Sequence, residues 1–119
     1  MSHILLIDDD LPTQRVYGLG LRKAGHMIEL ADNAKLLTRL TADRVPDLII
    51  SDVVMPEVDG FEALAIVREN FPKLPIITIS GTNSYLEMSG VLGAHKTLLK
   101  PFTINQLIEA VNEVLPDVN

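Results

Sequence analysis

The sequence is poor in several residue types, and each shortage excludes a class of protein. It has no cysteine, which excludes a disulfide framework and thiolate zinc ligation and is compatible with a reducing compartment. Aromatic residues make up only 4% of it, so an interior must be mainly aliphatic. No apolar run approaches the roughly 18 residues of a membrane span, and the N-terminus lacks the pattern of a signal peptide. We therefore expect a cytoplasmic protein with no membrane partner.

Basic residues are also in short supply. Ten Lys and Arg stand against sixteen Asp and Glu, which gives a formal net charge of -6. Because binding to nucleic-acid phosphates needs clustered Lys and Arg, we predict no nucleic-acid partner for this domain. The length of 119 residues, of which 47% are hydrophobic, predicts one domain over residues 1–119 with a single core.

The sequence does contain a regular alternation of short apolar runs and helical stretches. The alternation occurs five times with short loops, which predicts an α/β fold: a doubly wound (βα)5 unit with a five-stranded parallel sheet of flavodoxin-like order 2-1-3-4-5. Helices are predicted over residues 12–24, after Asp32 or Asn33, and over 60–70. Predicted capping boxes are Asp59 with Glu62, Ser84 with Glu87, and Thr103 with Gln106.

Polar residues lie at the ends of the apolar runs. Asp8 and Asp9 follow the first run, Asp52 and Ser80 end the third and fourth, and Lys100 follows the fifth. The carboxyl ends of parallel strands form one functional edge, so these side chains should meet there. Clustered carboxylates repel unless a cation such as Mg²⁺ compensates, and a carboxylate can also form an acyl phosphate. The pattern predicts a site for a phosphoryl group and a divalent metal, with the lysine ammonium on a phosphate oxygen.

The motifs at these strand ends resemble those of the receiver domain of two-component response regulators. They are IDDD at 7–10, SDVVMPEVDG at 51–60, ISG at 79–81 and LLKPF at 98–102, and the resemblance covers essentially the whole chain. It implies that Asp52 is the phosphoacceptor, that Ser80 is the switch hydroxyl and that Lys100 contacts the phosphate. It also implies that Pro101 follows a cis peptide bond.

The resemblance implies a Mg²⁺ site as well. Asp9, Asp52 and the backbone carbonyl of Val54 would bind the ion directly, and Asp8 would act mainly through water. Asp10, the third aspartate of the run, is interpreted as the cap of the first helix rather than as a ligand.

Thr97 departs from the family pattern, because receiver domains usually carry Tyr or Phe three residues before the lysine. That aromatic side chain normally swings inward as the switch hydroxyl moves toward the phosphate. Threonine is smaller and can form a hydrogen bond, so aromatic gating does not carry over to this chain. Phosphorylation should survive, because this position does not contact the phosphoryl group.

The function that the resemblance implies is that of a phosphorelay switch. A sensor histidine kinase or a histidine phosphotransfer protein would dock near the first helix and donate a phosphoryl group from a phosphohistidine. The signal would reach a downstream output protein, or an effector domain that this chain does not include, through the fourth and fifth helices and the fifth strand. We expect no enzyme activity beyond self-catalysed phosphotransfer and autodephosphorylation, and we also consider a homodimer through the last helices.

Two other interpretations come from different classes of protein. Clustered aspartates with a distant lysine are found in phosphatases of the haloacid-dehalogenase type. Such an enzyme would place its nucleophile after the first strand and would need a cap domain, for which there is little room. The second is a degenerate receiver that acts as a phosphorylation-independent docking module, which the intact set of polar residues disfavours. The three histidines, His3, His26 and His95, are interpreted as surface or packing residues.

Overall fold

The computed structural model describes residues 2–32, 34–53 and 60–115. Within these residues, five strands alternate with four α-helices, none of which is long and apolar enough to cross a membrane. The strands are β1 His3–Ile7, β2 Met27–Ala31, β3 Leu48–Asp52, β4 Ile76–Ser80 and β5 Lys96–Leu99. The helices are α1 Leu11–Lys23, α2 Gly60–Asn70, α3 Asn83–Val91 and α4 Ile104–Val114.

The five strands form one parallel sheet in the order β2-β1-β3-β4-β5. This confirms the predicted flavodoxin-like order, in which β1 and β3 are neighbours. Every residue of β3 and β4 is buried, as expected of central strands in a parallel sheet covered on both faces. The carboxyl ends of β1, β3, β4 and β5 therefore share one edge of the sheet.

The connection from β2 to β3 differs from the prediction. An α-helix carrying Leu36, Leu37 and Leu40 was expected, but the chain forms two 3₁₀-helices there, Ala34–Arg39 and Ala42–Arg44. Short helical segments are marginal by themselves, so tertiary packing decides their form. The apolar residues still pack as expected, since Leu37 is buried against the core and the other two leucines lie beside it.

The sheet separates two apolar layers. The first lies on the side of α2 and the first 3₁₀-helix, and the second lies on the side of α1 and α4. Alternate residues of β1 show the division, because Leu5 and Ile7 belong to the first layer while Ile4 and Leu6 belong to the second. Aliphatic side chains fill both layers, in agreement with the composition.

The first helix, predicted over residues 12–24, begins and ends one residue earlier. Asp10 occupies its N-cap position, but its side chain makes no capping bond to the backbone and instead accepts a hydrogen bond from the Thr13 hydroxyl. Ala24 is the C-cap, and Gly25 follows with a φ of 101°, a conformation that glycine adopts without strain.

The three predicted capping boxes have different outcomes. Thr103 and Gln106 form a complete box at the start of α4. The box at Ser84 is wrong, because α3 begins at Asn83 with Thr82 as N-cap and without a side-chain capping bond. The box at Asp59 lies outside the described residues.

Candidate functional site

Three carboxylates meet at the carboxyl edge of the sheet. Asp8 follows β1, Asp9 comes next, and Asp52 is the last residue of β3. The pairing of Ile7 with Ser51 brings the ends of these two strands to the same level. One carboxylate oxygen of each aspartate lies within 4.8 Å of the others. The structure therefore brings together the three carboxylates that the sequence analysis assigned to a metal site.

The burial of these carboxylates is unequal. Asp8 is fully buried and Asp52 is 6% exposed, whereas Asp9 is exposed to solvent. The backbone N–H of Asp10 donates to Oδ1 of Asp8 at 3.0 Å, which fixes that carboxylate in place. Asp9 thus lies on the solvent-facing side of the cluster, and Asp8 and Asp52 lie on its buried side.

Lys100 crosses this edge from the end of β5. Its Nζ donates to Oδ2 of Asp52 at 2.9 Å and to Oδ2 of Asp8 at 3.2 Å. Its backbone N–H donates to the carbonyl of Ser80 at 2.8 Å, and its peptide bond to Pro101 is cis, as predicted. The ammonium therefore touches two of the three carboxylates from a fixed backbone position.

The electrostatics of the cluster follow from burial and from these contacts. Burial raises the pKa of Asp8, against the opposing effects of the Asp10 N–H and of Lys100. Burial also pushes the pKa of Lys100 down, but the hydrogen bonds and charges of Asp52 and Asp8 outweigh it, so that this pKa is raised. The cluster holds three carboxylates, and its one ammonium contacts two of them, which leaves a negative edge suited to a hard divalent cation.

Ser80 ends β4 at the same edge of the sheet. Its side chain is almost fully buried, and its Oγ accepts a hydrogen bond from the backbone N–H of Thr82 at 3.1 Å. No acceptor for its own hydrogen is found among the residues that the structure describes. The hydroxyl is therefore able to donate to a group that enters the edge.

The remaining sequence-predicted residues occupy different positions. Thr97 lies in β5, exposed, and pairs in register with Thr78 of β4. Val54, the predicted carbonyl ligand, lies outside the described residues. Asp10 is exposed and does not belong to the carboxylate cluster of the described chain.

The three histidines lie away from this edge. His3 begins β1, and His26 and His95 immediately precede β2 and β5, so all three are at the amino edge of the sheet. His3 pairs with Glu29, with Nε2 and Oε1 3.2 Å apart. Nδ1 of His95 accepts a hydrogen bond from the N–H of Ile76. These positions agree with surface and packing roles.

Two residues near the site were not recognised as such from the sequence. Tyr17 of α1 stacks on Phe102 with 4.9 Å between ring centroids, and Lys100, Asp8 and Asp10 lie close enough to act on its hydroxyl. Burial raises the pKa of this tyrosine, while the ammonium opposes the rise. The periodicity of α1 identified Tyr17 only as an apolar position.

Gln14 also supports the edge from α1. It is 5% exposed, and its Nε2 donates to the carbonyl of Ala31 at 2.6 Å. The backbone N–H of Asp8 donates to the same carbonyl at 3.1 Å. Gln14 therefore ties α1 to the end of β2 beside the buried carboxylate, a contact that no local pattern indicates.

Comparison with known proteins identifies the class to which this fold and site belong. Residues 4–112 match the model of the response regulator receiver domain family. The chain belongs to that family.

Individual relatives support this membership. The chain is 34% identical over 116 residues to the DNA-binding transcriptional regulator NtrC of a Bradyrhizobium species, which covers 96% of the chain and 24% of the relative. It is 33% identical over 115 residues to the response regulator MprA of Mycobacterium avium, which covers 94% of the chain and 50% of the relative. The chain thus spans about a quarter of NtrC and half of MprA.

Solved structures show the same fold. The chemotaxis protein CheY4 of Vibrio cholerae superposes with a TM-score of 0.83 at 29% identity, covering 97% of this chain and 99% of that one. The response regulator TrrA of Thermotoga maritima, solved in complex with Mg²⁺ and BeF, superposes with a TM-score of 0.86 at 26% identity. That match covers 97% of this chain and 100% of TrrA.

Proposed function

We propose that this receiver domain accepts a phosphoryl group on Asp52 from a phosphohistidine. The observation that carries the proposal is the position of Asp52, at a strand end, hydrogen-bonded to Lys100 and beside Asp8 and Asp9. A nearly buried carboxylate that is held by an ammonium and stands next to further carboxylates suits phosphoryl transfer better than a purely structural role.

The transfer forms one bond and breaks another. An oxygen of the Asp52 carboxylate attacks the phosphorus, the P–N bond to the donor histidine breaks, and the imidazole nitrogen takes its electron pair. Lys100 stabilises negative charge on the phosphoryl oxygens, and the Ser80 hydroxyl donates to another of these oxygens. Thr97 is small and exposed, so the response does not use an aromatic side chain at that position.

The carboxylate cluster fits Mg²⁺, because hard divalent cations prefer oxygen ligands. Asp9 and Asp52 would bind the ion directly together with the carbonyl of Val54, and Asp8 would act mainly through water. Bound Mg²⁺ would supply positive charge to the phosphoryl oxygens and to the acidic edge. The Mg²⁺ and BeF in the TrrA complex support this assignment, since TrrA has the same fold.

The partners follow from the same proposal. A sensor histidine kinase or a histidine phosphotransfer protein would donate the phosphoryl group near α1, and a population shift of the face formed by α3, β5 and α4 would carry the signal. An output protein or an effector domain would receive that signal, as the greater length of the NtrC and MprA relatives suggests. The domain itself acts in the cytoplasm without binding nucleic acid or membrane, as a switch that catalyses only its own phosphorylation and dephosphorylation. A homodimer through α3 and α4 is compatible with this role.

Intact mass measured after incubation with acetyl phosphate and Mg²⁺ tests the proposal. We expect a labile, Mg²⁺-dependent gain of one phosphoryl group that is lost in Asp52→Asn. Asp10→Ala is the matched control, because it removes a neighbouring carboxylate that lies outside the cluster, and it should be modified like the unaltered protein. Modification that persists in Asp52→Asn would move the acceptor elsewhere. No gain with acetyl phosphate or any other phosphodonor would instead favour the phosphorylation-independent docking module.

A further inference from the structure

The third α-helix is held to the rest of the protein by few contacts. Of the nine residues of α3, only Leu86 and Ser89 are buried. Met88 and Val91 are 49% and 83% exposed, and Tyr85, also exposed, contacts Phe61 of α2 edge to face. Because one leucine provides most of the buried apolar anchoring of α3, polar contacts have an unusually large share in fixing its position.

Two hydroxyls on one face of β4 provide these polar contacts. Ser80 accepts a hydrogen bond from the N–H of Thr82, the N-cap of α3, at 3.1 Å. Thr78 lies two residues earlier and therefore on the same face, and its Oγ1 is 2.7 Å from Oγ of Ser89. Thr78 and Ser89 are both fully buried. A single strand thus holds both the start and the later part of the helix.

The direction of the buried hydrogen bond follows from counting hydrogens. Ser89 donates its one hydroxyl hydrogen to the carbonyl of Leu86 at 2.7 Å, as serines in helices often do. Its oxygen is then the acceptor in the bond to Thr78, and Thr78 is the donor. Loss of the serine oxygen would therefore leave a buried donor unpaired, whereas loss of the threonine hydroxyl would leave Ser89 still bonded.

We propose that Thr78 and Ser89 are positioning residues that fix α3 on β4 and set how far α3 responds to phosphorylation of Asp52. The second half of this statement rests on the proposed function. Ser80 connects the position of α3 to phosphorylation, because a Ser80 hydroxyl drawn toward a phosphoryl group loosens its contact with the N-cap of α3. The bond between Thr78 and Ser89 then becomes the main polar contact that still holds the helix.

The presence of hydroxyl side chains at Thr78 and Ser89 supports a positioning role rather than simple filling of the core. The flanking β4 positions are Ile76, Ile77 and Ile79, all fully buried. A buried hydroxyl pair contributes little net free energy compared with apolar side chains of the same size, but it allows only one arrangement of its two partners. Thr78 and Ser89 therefore add positional definition to a helix that has little apolar anchoring.

Amide hydrogen exchange of the unmodified protein tests the positioning role directly. We expect Ser89→Ala to speed exchange across residues 83–91 about tenfold, while amides of β1 and β3 keep their rates. Thr78→Val should have a smaller effect, because Ser89 stays bonded to Leu86, and Thr78→Ser should keep the original rate, because it retains the hydroxyl. The double variant Thr78→Val with Ser89→Ala should speed exchange less than Ser89→Ala alone, because no buried donor is left unpaired. Ser84→Ala is the matched control, since it makes the same substitution at an exposed position of the same helix. Equal exchange in Ser84→Ala and Ser89→Ala would overturn the proposal, and so would equal acceleration of α3 and of the sheet.

The second measurement compares exchange before and after modification with acetyl phosphate and Mg²⁺, with intact mass recorded on each sample. We expect α3 exchange to rise on modification of the unaltered protein and to rise further in Ser89→Ala, where neither the Ser80 contact nor the Thr78–Ser89 bond then holds the helix. A rise in Ser89→Ala no larger than that in the unaltered protein, with the mass gain present, would refute the coupling and leave phosphorylation established. If no mass gain occurs in any sample, the proposed function fails and the coupling fails with it. The comparison of unmodified proteins then decides the positioning role alone.

Discussion

The charge of Lys100 offers a sharp test of how the site is held together. Its Nζ lies 2.9 Å from Asp52 and 3.2 Å from Asp8, and at an effective dielectric constant of about 20 each pair gains about 5 to 6 kcal/mol before the cost of desolvation. Removing one partner of a buried ion pair costs about 3–5 kcal/mol in proteins. The lysine side chain is 27% exposed and Asp8 can take up a proton, so we expect about 3 kcal/mol for Lys100→Met at neutral pH.

Urea unfolding in the presence of a chelator measures this loss. Lys96→Met is the matched control, because Lys96 forms an exposed ion pair with Glu113 and should change the free energy of unfolding by about 0.5 kcal/mol or less. Adding Mg²⁺ should stabilise Lys100→Met more than the unaltered protein, since the ammonium no longer competes for the same oxygens. A loss no larger than that of the control, or an equal gain from Mg²⁺ in both proteins, would refute this account of the site.

Two further predictions concern a buried charge and a backbone conformation. Because burial raises the pKa of Asp8, the native state holds a proton there more tightly than the unfolded chain, so stability without metal should fall as the pH rises from 3.8 through the native pKa of Asp8. Asp8→Asn should flatten this part of the pH profile of urea unfolding. An unchanged slope would mean that other groups cause the pH dependence of stability. Gly93 has a φ of 104°, and a Cβ there would lie 2.7 Å from Nε of Arg68, so Gly93→Ala should lower stability by about 2 kcal/mol. Gly90→Ala, at an open helical position, should instead raise stability by up to about 1 kcal/mol in thermal melts. Equal effects of the two substitutions would contradict the view that the backbone conformation and close contact at Gly93 require glycine.

The sheet and its functional edge were predictable because both depend on features local to each strand. An apolar run of four or five residues identifies a buried strand, and the residue after it marks the strand end. Once right-handed crossovers fix the order, Asp8, Asp52 and Lys100 must meet. That order places the lysine at the same edge as the two carboxylates, whereas its direct contacts with them are seen only in the structure.

The features that the sequence did not reveal depend on packing between distant segments. The crossover after β2 contains leucines with helical spacing, yet its packing against the sheet produces 3₁₀ turns. Thr78 and Ser89 are eleven residues apart on different elements, and neither one indicates the other. In the sequence Gln14 is an ordinary helix residue, and only the fold places the carbonyl of Ala31 beside it.

β2 and β3 are each fixed to β1, so the geometry of the acidic edge does not depend on the length of the segment that connects β2 to β3. At the end of β2, the carbonyl of Ala31 is bound by the N–H of Asp8. Before β3, the N–H of Asp47 donates to the carbonyl of His3, and the N–H of His3 donates to Oδ2 of Asp47. Both ends of the crossover are thus clamped to the same central strand. Insertions, deletions or grafted peptides in the intervening 3₁₀ turns can therefore change the outline of the molecule at that corner while the acidic edge keeps its geometry.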